Sequence, residues 1–309
     1  MARGLRLTLA LALSATAALS CTLLYDTEEL SGGAPPRGSI DAAPEDVRTF
    51  APPASDAEVL DVDAAEPAGR VTEGLVAFFA FRENDGLVVH DTADGGDGLE
   101  LALRPAPAPD GDGGVLEAGS DPGVAWAPER LTVSGRAIGE STAPAKAIQT
   151  RCSASGQLTV EAWVRPLTKS QFGPARIVTM SYTGAETRNF TLAQSGGNLV
   201  FRIRTDAGYK EIERVGALEA KAGVLTHLLV TARATGEIAF YVDGVPSTDF
   251  VPNASFDFAE YGLAIANEID GFTSDRRWRG DYHLVAVYDR ALTAAEAARN
   301  FRAGADPQP

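Results

Sequence analysis

Residues 158–165, LTVEAWVR, alternate without a break. Leu158, Val160, Ala162 and Val164 fall on one face of an extended chain, and Thr159, Glu161, Trp163 and Arg165 on the other. A period of two suits a pleated strand and rules out a helix. The alternation returns at residues 198–205, where Leu199, Phe201 and Ile203 oppose Val200, Arg202 and Arg204. It returns again at 237–244, where Ile238, Phe240 and Val242 share a face and Asp243-Gly244 supplies a tight-turn pair. Shorter apolar runs at 75–81, 176–182, 190–193, 227–234, 263–266 and 282–288 read as further strands. One helix is predicted, at the C-terminus, where Thr293 and Glu296 form a capping box ahead of AAEAARNF. Many short strands without helical crossovers specify an all-β fold, an antiparallel two-sheet jelly-roll sandwich with a short C-terminal helix.

Composition narrows the partners. The 309 residues carry a formal net charge of −15, which excludes nucleic acid and electrostatic docking on anionic lipid, since both need clustered Lys and Arg. The chain opens with Arg3 and Arg6 before an apolar run, residues 7–19. That run is shorter than the ~20 residues of a membrane-spanning helix and fits an export signal. It ends in AALSC, which resembles the lipobox of bacterial lipoproteins, with Ala18 where Leu is usual. The resemblance implies that Cys21 is lipidated and that the lipid is the only membrane contact. Residues 1–20 are then a signal peptide and 21–70 a lipid-anchored, disordered acidic linker rich in Pro, Ala, Gly and Asp. Residues 71–305 form the folded domain, and 306–309 a tail. The expected location is the outer membrane or cell surface of a bacterium. The second cysteine, Cys152, can pair with Cys21 in an oxidising compartment, and is a lone thiol if Cys21 carries lipid.

Four stretches in order carry a wider resemblance: GLVAFFAFREND with HDTADGGDG, LTVEAWVRP, HLLVTARATGEIAFYVDGVP, and GDYHLVAVYDRALTAAEAARNF. Together they resemble bacterial laminin G-like, concanavalin A-like jelly-roll domains across residues 71–304. That resemblance implies two curved sheets in an extracellular module that binds glycans or proteins, often with a structural Ca²⁺. The same sandwich hosts lectins, glycosidases and adhesive modules, so function rests on the site.

Several chemistries compete for that site. NEIDGFTSDRRW, residues 267–278, resembles the Glu-apolar-Asp strand motif of laminarinase-type enzymes through Glu268 and Asp270. The third acid is missing, because Phe272 or Thr273 stands in its place, and a retaining mechanism needs two carboxyl groups ~5–5.5 Å apart. No Gly-x-Ser-x-Gly elbow occurs, and His90, His227 and His283 are scattered singly, unlike a zinc site. His227, at a strand start, reads as packing or a surface hydrogen bond. For Ca²⁺, Asp91, Asp94 and Asp97 in the glycine-rich turn are the candidate ligands. The acids that relatives carry in the closing strand are replaced here by His283 and Leu284, leaving Asp281 as a substitute. For glycan recognition, an aromatic platform beside planar polar groups points to Trp163, Glu161 and Arg165, joined by Asn267, Glu268, Arg277 and Trp278. If the strands bearing Trp163 and Arg202/Arg204 are neighbours, one sheet presents Trp163, Glu161 and the arginines outward. The expected function is a non-catalytic cell-surface binding module for a glycan or a surface protein. The alternatives are a structural envelope lipoprotein without a small ligand and a glycoside hydrolase of the same fold.

Overall fold

The computed structural model describes residues 69–106, 123–171, 173–183, 187–250, 254–269 and 276–305. The chain runs β1 (Leu75–Phe79), β2 (Val88–His90), β3 (Glu100–Pro105), β4 (Val124–Ala127), β5 (Arg130–Val133) and β6 (Ala137–Ser141) before α1 (Lys146–Ser155). It continues with β7 (Gln157–Pro166), β8 (Ala175–Ser181), β9 (Arg188–Ser195), β10 (Asn198–Thr205) and β11 (Gly208–Arg214). Then come β12 (Thr226–Arg233), β13 (Glu237–Val242), β14 (Val245–Phe250), β15 (Gly262–Ile265), β16 (Gly280–Tyr288) and α2 (Ala294–Ala303).

Two antiparallel sheets result. The first is ordered β14-β13-β12-β7-β16-β5-β4, with β1 also paired to β16; the second is ordered β11-β10-β9-β8-β15-β6-β3-β2. The all-β sandwich expected from the alternation is the observed fold. Leu158, Val160, Ala162 and Val164 face inward and meet Phe190, Phe201, Ile203 and Ile265 of the opposite sheet in one apolar core. Burying such side chains contributes about 1.5–3 kcal/mol each.

The outer face of β7 is where the sequence expectation of a half-exposed strand fails. Eight of its ten positions are buried, and only Gln157 and Arg165, toward its two ends, are partly exposed. The cover is α2. Leu292, Ala297 and Phe301 close over Phe78, Trp163, Leu229, Tyr241, Leu284 and Tyr288 in a second apolar layer outside the first sheet. The helix starts where the capping box predicts. Thr293 Oγ1 accepts from Glu296 N at 3.3 Å, and Glu296 Oε2 accepts from Thr293 N at 2.8 Å.

The other helix, α1, is absent from the sequence expectation. Its N-cap position is Ala145, which has no side-chain acceptor, and its first turn has no acid. The cap arrives from far away: Asp97 Oδ2 accepts from Ala147 N at 2.6 Å. Only Ile148 and Cys152 of this helix are buried, too short a stripe to announce itself.

Candidate functional site

The strand alternation does place Glu161 and Trp163 on the outer face, but α2 encloses them. Trp163 keeps 7% of its surface exposed. Its ring stacks on Phe301 at 5.8 Å and 4°, and lies 4.9 Å from the His227 ring. A sugar platform must be open, so Trp163 is corrected from platform to packing. Glu161 is fully buried and forms the hub of a polar network. It pairs with Arg70 Nη1 and lies 3.0 Å from His227 Nε2. Its Oε2 accepts from Asn300 Nδ2 at 2.7 Å and from Tyr288 OH at 3.4 Å. Burial alone raises the carboxyl's pKa, yet the Arg70 charge and the contacts of His227 outweigh it and hold the group at about 2. Glu161 is therefore an internal counter-ion and not a surface ligand. Arg165, at the strand end, pairs with Asp281 Oδ2 at 3.3 Å.

The same network ties the two ends of the domain together. Arg70 Nη2 donates to Gly304 O at 2.5 Å, Val71 N to Asn300 Oδ1 at 2.9 Å, and Arg299 Nε to Gly69 O at 2.7 Å. His227 is thus neither surface-exposed nor merely packed, because it bonds a buried carboxylate.

Arg202 and Arg204 are not neighbours of Trp163. β7 belongs to the first sheet and β10 to the second, so the single outward surface imagined from the sequence does not exist. Asn267 and Glu268 are also buried. Glu268 Oε2 accepts from Arg176 Nη2 at 2.8 Å, and Arg188 Nε approaches Oε1 at 3.5 Å. Burial, partly offset by Glu268, leaves the Arg176 guanidinium at about 10. Asn267 is buried, with Oδ1 accepting from Glu268 N at 2.9 Å. Trp278 is fully enclosed between the sheets, donating from Nε1 to Gln194 Oε1 at 2.9 Å. These three are corrected from rim to interior, where Glu268 pairs with Arg176 and Trp278 with Gln194. Arg277 is half-buried. Asp270, Phe272, Thr273 and Asp275 lie outside the described residues, as does Cys21. Cys152 is buried in α1, and burial pushes its thiol pKa up, which makes it a poor nucleophile.

The three turn aspartates do not converge on a cation. Asp91 Oδ1 accepts from Phe78 N and Ala93 N, each at 2.9 Å, which pins the turn to β1. Asp97 caps α1, and Asp94 is exposed. Asp281, the proposed substitute ligand, is engaged by Thr132, Arg130 and Arg165. Among the described residues no three His, Cys, Asp or Glu side chains form a metal-holding group. The buried, unpartnered Asp91 Oδ2 is one oxygen, and a Ca²⁺ shell takes six to eight. The residues described do not fit the ion.

What the sequence reading missed lies on the outer face of the second sheet. β8 ends at Ser181, and Tyr182 follows, its N–H donating to Thr187 O at 2.8 Å to close the turn toward β9. The Tyr182 ring is 56% exposed, and it is the one aromatic among the described large apolar side chains with substantial exposure. It stacks on Tyr261 at 5.9 Å and 12°. Tyr261 is itself fixed, since its OH accepts from Arg204 Nη1 at 3.0 Å, while Arg204 Nη2 donates to Asp257 Oδ2 at 2.8 Å. Beside this platform opens a groove of about 200 Å³, lined by residues 140–144, Tyr182, Glu260, Gly262 and Ile269. A Cβ on Gly262 would stand 2.8 Å from Ile269 Cδ1 and 3.1 Å from Ser141 Oγ, so the glycine keeps the floor open. Glu140 is held flat by Arg104, with Nε and Nη2 each 2.7 Å from one carboxylate oxygen. Glu260 pairs with Lys146 at 3.0 Å. The arrangement offers a ring face for stacking and carboxylates for hydroxyl groups. The only sequence signal was an aromatic just past a strand end, which is common in turns.

No curated protein sequence matches the chain. Among solved structures, the binding domain of botulinum neurotoxin DC in complex with rat synaptotagmin II aligns with a TM-score of 0.50 at 10% identity. It covers 75% of this chain and 52% of that one. Botulinum neurotoxin type C, dependent on interaction with two ganglioside molecules, aligns at 0.50 and 14%, over 75% and 51% of the two chains. The receptor-binding domain of the botulinum C/D mosaic serotype aligns at 0.50 and 9%, over 76% and 52%. The chain spans about half the length of these structures, and at such identities the likeness establishes the fold alone. A laminin G family model, described as the concanavalin A-like lectin/glucanases superfamily, matches residues 140–298, which run from the end of β6 into α2. With more than half of its 309 residues inside that match and two antiparallel sheets stacked as the family requires, the chain belongs to the concanavalin A-like lectin/glucanases superfamily.

Proposed function

We propose that this chain is an exported lipoprotein, anchored through Cys21, whose domain is a non-catalytic module that binds a glycan at the cell surface. The observation that carries the reading is Tyr182, an exposed ring held by Tyr261 and Arg204 at the mouth of a groove with two carboxylates. An open aromatic ring stacks well on the apolar face of a sugar. The non-catalytic reading is supported by Glu268, whose carboxylate is spent on Arg176 and Arg188 inside the domain. The linker to residue 70 then holds the module away from the membrane. Among the described residues no helix is long and apolar enough to cross a bilayer, so attachment in this reading rests on the lipid. A surface protein is the second reading, favoured by a neighbouring domain whose structure is a complex with rat synaptotagmin II.

A glycan array probed with the purified full-length chain tests the proposal. Binding that disappears on Tyr182→Ala, with the thermal midpoint unchanged, supports it. Silence across the array, or binding indifferent to Tyr182, refutes it.

A further inference from the structure

The lining of the groove is one-sided in its hydrogen-bonding chemistry. Its described side chains include two carboxylates, Glu140 and Glu260, and the hydroxyls of Ser141, Thr142 and Tyr182; none carries a nitrogen donor. The Ser141 hydroxyl already donates to Ala143 O at 2.7 Å and accepts from Leu263 N at 3.0 Å. Arg104 and Lys146, which neutralise the two acids, are not part of the lining, so the ligand meets the carboxylates and not their cations. Carboxylates only accept, and their strongest neutral-pH partners are cationic N–H groups.

Resting on the glycan reading above, we infer that this groove takes a single sugar residue bearing a free amine, an unacetylated amino sugar. The ammonium group binds between Glu140 and Glu260, and the ring stacks on Tyr182. Arg104 holds Glu140 in a fixed plane, so its remaining lone pairs are pre-oriented. The pair between Glu260 and Lys146 is half exposed and yields easily to a competing cation. A cavity of about 200 Å³ falls below the ~300 Å³ at which drug-sized sites begin, which suits one ring and not an extended chain. A uronic or sialic acid meets carboxylates and no cationic or nitrogen donor among the lining side chains. An N-acetyl group loses the charge and brings a carbonyl that no nitrogen here satisfies. The net charge of −15 draws a cationic glycan from solution as well.

Calorimetric titration of the full-length chain with the methyl glycosides of glucosamine, glucose, N-acetylglucosamine and glucuronic acid, at mildly acidic pH, tests this. Glucosamine is expected to bind about tenfold more tightly than glucose, the scale of one charge-assisted hydrogen bond. Glucuronic acid is expected not to bind. Glu140→Gln with Glu260→Gln is expected to erase the glucosamine preference, lowering glucosamine affinity about tenfold more than it lowers glucose affinity. Equal affinity for glucose, or tighter binding of the acetylated or acidic sugar, overturns the inference and leaves the glycan reading standing. Silence toward all four, with Tyr182→Ala indifferent on an array, overturns both.

Discussion

Replacing Glu161 by Gln removes the one negative charge from a fully buried cluster while preserving its shape. In the wild type, Arg70 and Glu161 are both inaccessible, and the carboxylate also receives Asn300 and lies against His227. Without it the Arg70 guanidinium stays buried and unpaired, which costs about 3–5 kcal/mol. Against a total stability of ~5–15 kcal/mol this is a large fraction, and for a domain of this size it lowers Tm by roughly 6–20 °C. Arg70→Met in the same chain removes the orphaned charge, so the double variant is expected to recover part of the loss, with a coupling above about 1 kcal/mol. The wild type has a pH signature too. The folded pKa of Glu161, about 2, lies below its unfolded value near 4.5. The stability it contributes is therefore complete above the unfolded value and is lost as pH falls from about 4.5 through 2. That contribution is about 3 kcal/mol, and Glu161→Gln flattens this part of the acid profile. Denaturant unfolding followed by circular dichroism, at neutral pH and down the acid limb, measures both effects. A loss under 1 kcal/mol for Glu161→Gln, or strict additivity with Arg70→Met, refutes the counter-ion role.

Thr293→Ala removes half of the capping box of α2 and is expected to cost about 1 kcal/mol. Hydrogen exchange is expected to quicken across Ala294–Ala303 and over the Trp163 strand beneath, and unchanged protection in both would contradict the helix's role as cover. Glu268→Ala leaves Arg176 buried without its carboxylate and is expected to destabilise by about 3–5 kcal/mol, read in the same unfolding assay. Loss of glycan binding without loss of stability would instead return Glu268 to the ligand site.

The jelly-roll was legible because strand alternation is a local property. The inward residues of β7, β10 and β13 were identified correctly from period two alone. The cap at Thr293 was legible for the same reason, since its partner stands three residues away. The helix α1 was not, because the carboxylate that caps it comes from Asp97, fifty positions earlier. The candidate site was largely illegible. Alternation states which side of its own sheet a side chain takes, and it said so truly for Glu161 and Trp163. It does not state what lies on top of that side, nor which strands share a sheet.

Those decisions belong to tertiary structure. The sequence by itself determined strands, turns, the closing helix and the two-sheet class, all set by contacts within a few residues. Only the folded chain decided that α2 seals Trp163, that Arg176 claims Glu268, and that Trp278 sits between the sheets. It alone left Tyr182 open beside Glu140 and Glu260, which the chain brings together from 120 positions apart. Burial is a property of whatever arrives from elsewhere in the chain, and no local pattern records it.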